Sequence, residues 1–160
     1  MRKKGFKYFI KPTLRFSIAG LLIPGFTAIL IVIPQMILTY LGLECSFSWI
    51  ILWVISFIGL IALPISFLKR LRKAVVEGYD LGTNSIVIFN LIEYTFIQCG
   101  FSIFFGSTET LCGSDGQNGL QFVLTAWIGI PILISLSFIF DSIRKRCVYE
   151  YWPYRASELE

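Results

Sequence analysis

Four stretches of this 160-residue chain are each long and apolar enough to cross a bilayer as a helix: residues 16–41, 47–68, 86–106 and 120–140. A hydrocarbon core about 30 Å thick needs roughly 20 mostly apolar residues in a helix. Inside it every backbone N–H and C=O must find a partner within the protein, so these runs are predicted to be helices rather than open strands. They also lack the alternation of apolar and polar residues that a membrane β-strand would show. The composition agrees: 56% of residues are hydrophobic and 15% charged, with a mean hydropathy of +0.74. A soluble domain is closer to about 25% charged, so an ordinary soluble enzyme is excluded.

The basic residues set the direction. All 14 lysines and arginines lie before the first run, between the second and third, or after the fourth. The two remaining connections carry only acids, Glu44 in one and Glu109 and Asp115 in the other. The positive-inside rule then predicts cytoplasmic termini and a cytoplasmic middle loop. The expected fold is an all-α integral membrane protein, one domain over residues 1–160, with four transmembrane helices in two antiparallel hairpins. This topology also explains the net charge of +4, so no nucleic-acid partner is expected. The first run is too long for the apolar part of a signal peptide and no A-x-A site follows it.

Several local features refine this picture. Gly20, Pro24, Gly25 and Pro34 make the first run the most breakable helix. The segment before it interleaves Phe6, Tyr8, Phe9 and Ile10 with basic residues and is expected to lie on an anionic leaflet or simply to flank the span. Pro153 is expected to end any helix near Tyr149, Tyr151, Trp152 and Tyr154, which suit a headgroup boundary. Gly78, Asp80, Gly82 and Asn84 are read as a turn between spans two and three. The connection at 107–119 is the most polar part of the chain and the expected place for an external contact.

The chemistry of the chain is sparse. It has no histidine, which removes His-ligated metals and His-activated nucleophiles. It has no glycine-rich phosphate loop. Cys45, Cys99, Cys112 and Cys147 form no C-x-x-C pair. Cys45 and Cys112 fall in the two predicted external connections, so a disulfide between them is a candidate. No enzyme activity, cofactor or metal is expected.

Glu93 is the leading candidate site residue. An acid within a span costs roughly 2.5–3.5 kcal/mol on insertion scales, so its default reading is functional. Helical spacing places Asn90, Glu93, Tyr94, Ile97 and Phe101 on one face, with Gln98 at its edge and Cys99 opposite. Gln35 of the first run lies nearer the external side, close in depth to Gln98. These residues form the candidate intramembrane polar face. In one reading Glu93 binds a cation, shuttles a proton or pairs with a basic group of another membrane protein. In the other it is protonated, bonds Asn90, Tyr94 or a carbonyl, and fixes helix packing.

In size, topology and lack of a catalytic motif, the chain resembles the small four-helix inner-membrane proteins that protect bacteria against pore-forming toxins or exclude mobile elements. No residue motif carries the resemblance, so no residue role is transferred. It implies a bacterial inner-membrane protein that binds another membrane protein, as an immunity, exclusion or accessory-subunit component, or that self-associates. The alternative is a small ion or solute transporter or channel subunit, working as an oligomer with Glu93 near the path.

Overall fold

The computed structural model describes residues 8–113 and 120–157, and among these every regular element is a helix. They are α1 (Ile10–Leu22), α2 (Ile29–Tyr40), α3 (Cys45–Glu77), α4 (Thr83–Ser102), α5 (Thr108–Cys112) and α6 (Leu120–Ser157). Three helical stretches are long and apolar enough to cross a membrane: Cys45–Glu77, Thr83–Ser102 and Gln121–Tyr149.

The first predicted span is not one helix. It is divided into α1 of 13 residues and α2 of 12, joined by residues 23–28. At 1.5 Å per residue these are about 20 and 18 Å long, so neither crosses a 30 Å core alone. Pro24 has no N–H to continue the ladder of α1. Gly25 then takes φ +81°, a conformation in which L side chains are strained. Pro34, by contrast, sits inside α2, and Pro64 and Pro131 sit inside α3 and α6. Proline therefore breaks the chain only where glycine follows it.

α1 and the joining segment nonetheless follow α4 step by step, and α2 goes on to pack against α3 and α4. Thr13 bonds Asn90, Gly20 meets the Tyr94 hydroxyl, and Thr27 bonds Gln98. Asn90, Tyr94 and Gln98 are four residues apart, so they form one stripe along α4. α3 passes α4 in the opposite direction, since Phe67 packs on Phe89 and Trp53 donates to Ser102. α4 is thus the central helix. Its buried residues include Asn90, Glu93, Tyr94, Ile97, Gln98 and Cys99. The single inward face expected from its periodicity is corrected here: Cys99, predicted to lie opposite, is buried against α3.

Close approach around α4 depends on small residues. A Cβ at Gly59 would lie 2.6 Å from the Phe96 ring, and one at Gly129 would lie 2.9 Å from Tyr94. A Cβ at Gly106 would overlap the Gln121 side chain. Membrane helices gain little from apolar burial against apolar lipid, so such direct packing carries much of the association.

Two ends can be told apart. The start of α1, the last third of α3, the first turns of α4 and the middle of α6 meet in a cluster of Phe9, Phe67, Leu71, Phe89 and Phe140. At the opposite end Trp49, Phe122, Leu111 and Ile31 pack together beside Cys45. Gly78, at φ +79°, closes α3, and Gly82 precedes α4. Asn84, assigned to the turn by sequence, lies within α4. The helix predicted to end at Pro153 instead runs through it to Ser157. The proline lies in the last turns, where only the Tyr149 carbonyl loses its i+4 donor.

Candidate functional site

Glu93 is 1% exposed, and its Oε2 has no hydrogen-bond partner. The two neighbouring side chains considered as partners are turned elsewhere. Asn90 Nδ2 donates to Thr13 Oγ1 at 3.1 Å. The Tyr94 hydroxyl faces Gly20, 3.0 Å from where a Cβ there would stand, and is itself unpartnered. An unsatisfied buried polar group costs about 1–3 kcal/mol relative to a bonded one. Of the partners considered for a packing role of Glu93, the Asn90 and Tyr94 side chains are thus turned elsewhere.

Tyr94 is the aromatic centre of the bundle. It is 0% exposed, stacks on Phe26 at 5.7 Å and meets Phe16 edge-on at 5.5 Å. These contacts hold both sides of the break against α4. The same break places Thr27, which is fully buried, to donate from Oγ1 to Gln98 Oε1. Gln98 Nε2 donates in turn to the Phe122 carbonyl of α6 at 3.1 Å. One amide thus joins the broken segment, the central helix and α6. Such a bond inside a membrane contributes about 0.6 kcal/mol on average.

The five candidate residues do not form one site. Asn90, Glu93, Tyr94 and Gln98 are all buried on α4, each with a different environment. Gln35 lies apart from them at the disulfide end, where its Nε2 donates to Thr39 Oγ1 at 3.1 Å and to Cys45 Sγ at 3.3 Å. Cys45 and Cys112 are joined by a disulfide with Cα atoms 5.9 Å apart, tying the start of α3 to the short helix α5. Cys99 and Cys147 are free thiols. Ser107 caps α5, accepting from Thr110 N–H at 3.3 Å. Of the polar external connection, Ser114 to Gly119 lie outside the described residues, as do the side chains of Tyr151, Trp152 and Tyr154.

The opposite end holds a polar group that sequence reasoning missed. Asp141, 2% exposed, accepts from Phe9 N–H through Oδ1 at 3.4 Å. α1 has no capping side chain of its own, so a carboxylate from α6 meets the positive end of its dipole. One turn along, Arg144 pairs with Asp80 at 3.5 Å and lies 4.6 Å over the Tyr8 ring. Burial pushes the Tyr8 phenol above its ordinary pKa; the Asp80 charge adds to this and Arg144 opposes it. The expectation that this segment lies on the leaflet is corrected for Phe9, which is 1% exposed inside the core. Phe6 lies outside the described residues. The only hint of the Asp141 contact in the sequence was an acid directly after the fourth apolar run.

Among the described residues no group of three acids or cysteines could hold a metal ion. No protein-family model, curated protein or solved structure matches the chain.

Proposed function

We propose that the chain is a four-span integral membrane protein, with α1 and α2 together forming the first crossing and both termini in the cytoplasm. It acts by binding another membrane protein, in the manner of an immunity, exclusion or accessory component, and performs no reaction itself. The all-14 asymmetry of basic residues supports the orientation. The pairing of Thr13, Gly20 and Thr27 with successive turns of α4, and the packing of α2 against α3 and α4 beyond them, support a crossing in two pieces.

The observation that carries the binding reading is the division of surfaces. Asn90, Glu93, Tyr94 and Gln98 are packed inside the bundle. The outside of α2 and α3 presents Ile33, Met36, Ile37, Ile50, Val54, Ile58 and Ile61, all exposed and apolar. A helix face of this kind can receive another transmembrane helix as readily as lipid. The test is site-specific photocrosslinking from Ile37, Val54 and Ile58 in native membranes. A discrete adduct from these positions, absent from positions on the buried side, is the expected result. Crosslinking to lipid alone would overturn it.

A second reading is favoured by the broken first crossing and the unpartnered Glu93 oxygen. Discontinuous helices beside a buried carboxyl are a feature of transporter sites. On that reading the chain is a small ion or solute transporter or channel subunit, assembled as an oligomer.

A further inference from the structure

Phe9 precedes α1, yet it is as buried as the centre of the bundle. Its ring meets Phe67 and Phe140 edge-on, each at 6.1 Å. Phe67, Phe89 and Phe140 come from α3, α4 and α6 and contact one another at 4.4, 5.3 and 5.2 Å. These four rings form a layer across the basic end of the three-helix core. Glu93 is four residues beyond Phe89 on the same side of α4, about 6 Å deeper along the axis. The aromatic layer therefore stands between the water at that end and a buried carboxyl with an unpartnered oxygen.

Three of the rings are fixed by long helices. Phe9 is held differently. Its backbone N–H is 3.4 Å from Asp141 Oδ1, at the long end for a hydrogen bond, and Asp141 Oδ2 has no partner. Tyr8 beside it rests under Arg144, which also pairs with Asp80 in the connection between α3 and α4. The Asp141 contact is buried, whereas the Arg144–Asp80 pair is partly exposed, with side chains 16% and 36% accessible, and there water and ions compete with it. The Phe9 carbonyl accepts from Thr13 N–H at 3.2 Å in the first turn of α1, while Phe67, Phe89 and Phe140 pack on one another without the Phe9 ring.

We propose that Phe9 is a removable plug, which closes the route of water from the basic end to a proton-binding carboxyl at Glu93. The plug is independent of either functional reading above, and a binding protein or a transporter could use it. Its release by a ligand, a partner or the lipid surface would expose the carboxyl without rearranging the central helices.

The test measures access directly, in nanodiscs, where both faces meet solvent and the orientation in the cell does not matter. E93C is made with C99S and C147S, leaving the bridged Cys45 and Cys112 in place, and is treated with methanethiosulfonate ethylammonium. F9A should speed modification about tenfold or more, because the rate follows the fraction of open molecules. F9L retains an apolar plug and should stay near the parent rate. D141L releases the backbone anchor and should raise the rate with Phe9 intact. A126C reports on a fully buried position of α6 toward the disulfide end and should not respond to F9A. Equal rates at E93C with and without Phe9, or equal increases at E93C and A126C, would overturn the proposal.

A second measurement leaves Glu93 in place. The carboxylic-acid infrared band that disappears in E93Q should exchange slowly in D2O in the parent and quickly in F9A. Absence of that band from the parent would overturn the assignment of a proton-binding carboxyl.

Discussion

At the scale of single residues, the decisive question is what Glu93 does with an oxygen that nothing in the bundle satisfies. Glu93→Gln separates the two functional readings. An amide keeps the volume and some hydrogen-bonding capacity of a protonated carboxyl but neither titrates nor carries negative charge. If the chain is a binding protein, capture of its partner by this variant should remain within about threefold, since a membrane hydrogen bond averages only about 0.6 kcal/mol. If the chain is a transporter, flux in reconstituted vesicles should be lost. Loss of flux in a folded variant decides for transport; retained capture, with no flux in the parent, decides for binding. Glu93→Leu removes the orphaned oxygen altogether and should leave the bundle as stable or more stable in an SDS-unfolding titration.

At the scale of elements, the break in the first crossing and the disulfide make separate predictions. Gly25 stands at φ +81° with open space around its Cα. Gly25→Ala therefore introduces backbone strain without a clash, and it should cost about 1–2 kcal/mol. Unfolding in mixed micelles measures this, and an unchanged midpoint would mean that residues 23–28 do not hold this turn. The bridge between Cys45 and Cys112 closes a separation of 67 residues. In the chain-entropy description a loop of that size restricts the unfolded chain by on the order of 4 kcal/mol. With Cys99 and Cys147 replaced by serine, protein from oxidising cells should shift in gel mobility on reduction. Cys45→Ser should abolish the shift and lower the unfolding midpoint. Full alkylation of both thiols before reduction would contradict the bridge.

At the scale of the whole molecule, the basic residues predict which end faces the cytoplasm. Reporter fusions after Arg70 and Arg155 should give a cytoplasmic signal, and fusions near Glu44 and Gly116 an external one. An external signal after Arg70 would remove the four-span topology. An external signal at Glu44 also requires that α1 and α2 cross the bilayer together, because neither is long enough alone.

The sequence by itself determined the helical membrane class, because apolar runs of this length have no other way to satisfy their backbone in lipid. It also placed three of the four runs, since those are continuous helices whose internal prolines only interrupt single hydrogen bonds. Glycines and prolines marked the first run as breakable, yet the break itself was decided by tertiary contacts. Phe26 stacks on Tyr94 and Thr27 bonds Gln98, and both contacts need the chain to turn at Gly25. Helical spacing identified Asn90, Glu93, Tyr94 and Gln98 as buried polar residues, but periodicity assumes one buried face. α4 is surrounded by α1, α2, α3 and α6, so Cys99 is buried as well. Gln35 joins the candidate polar face only because its depth is close to that of Gln98, and depth does not fix which neighbour a helix faces. The contact of Asp141 with Phe9 spans 132 residues and has no local signal. A local pattern can report an element's type and its apolar surface. Which orphaned donor meets which distant carboxylate is settled only when the helices are packed.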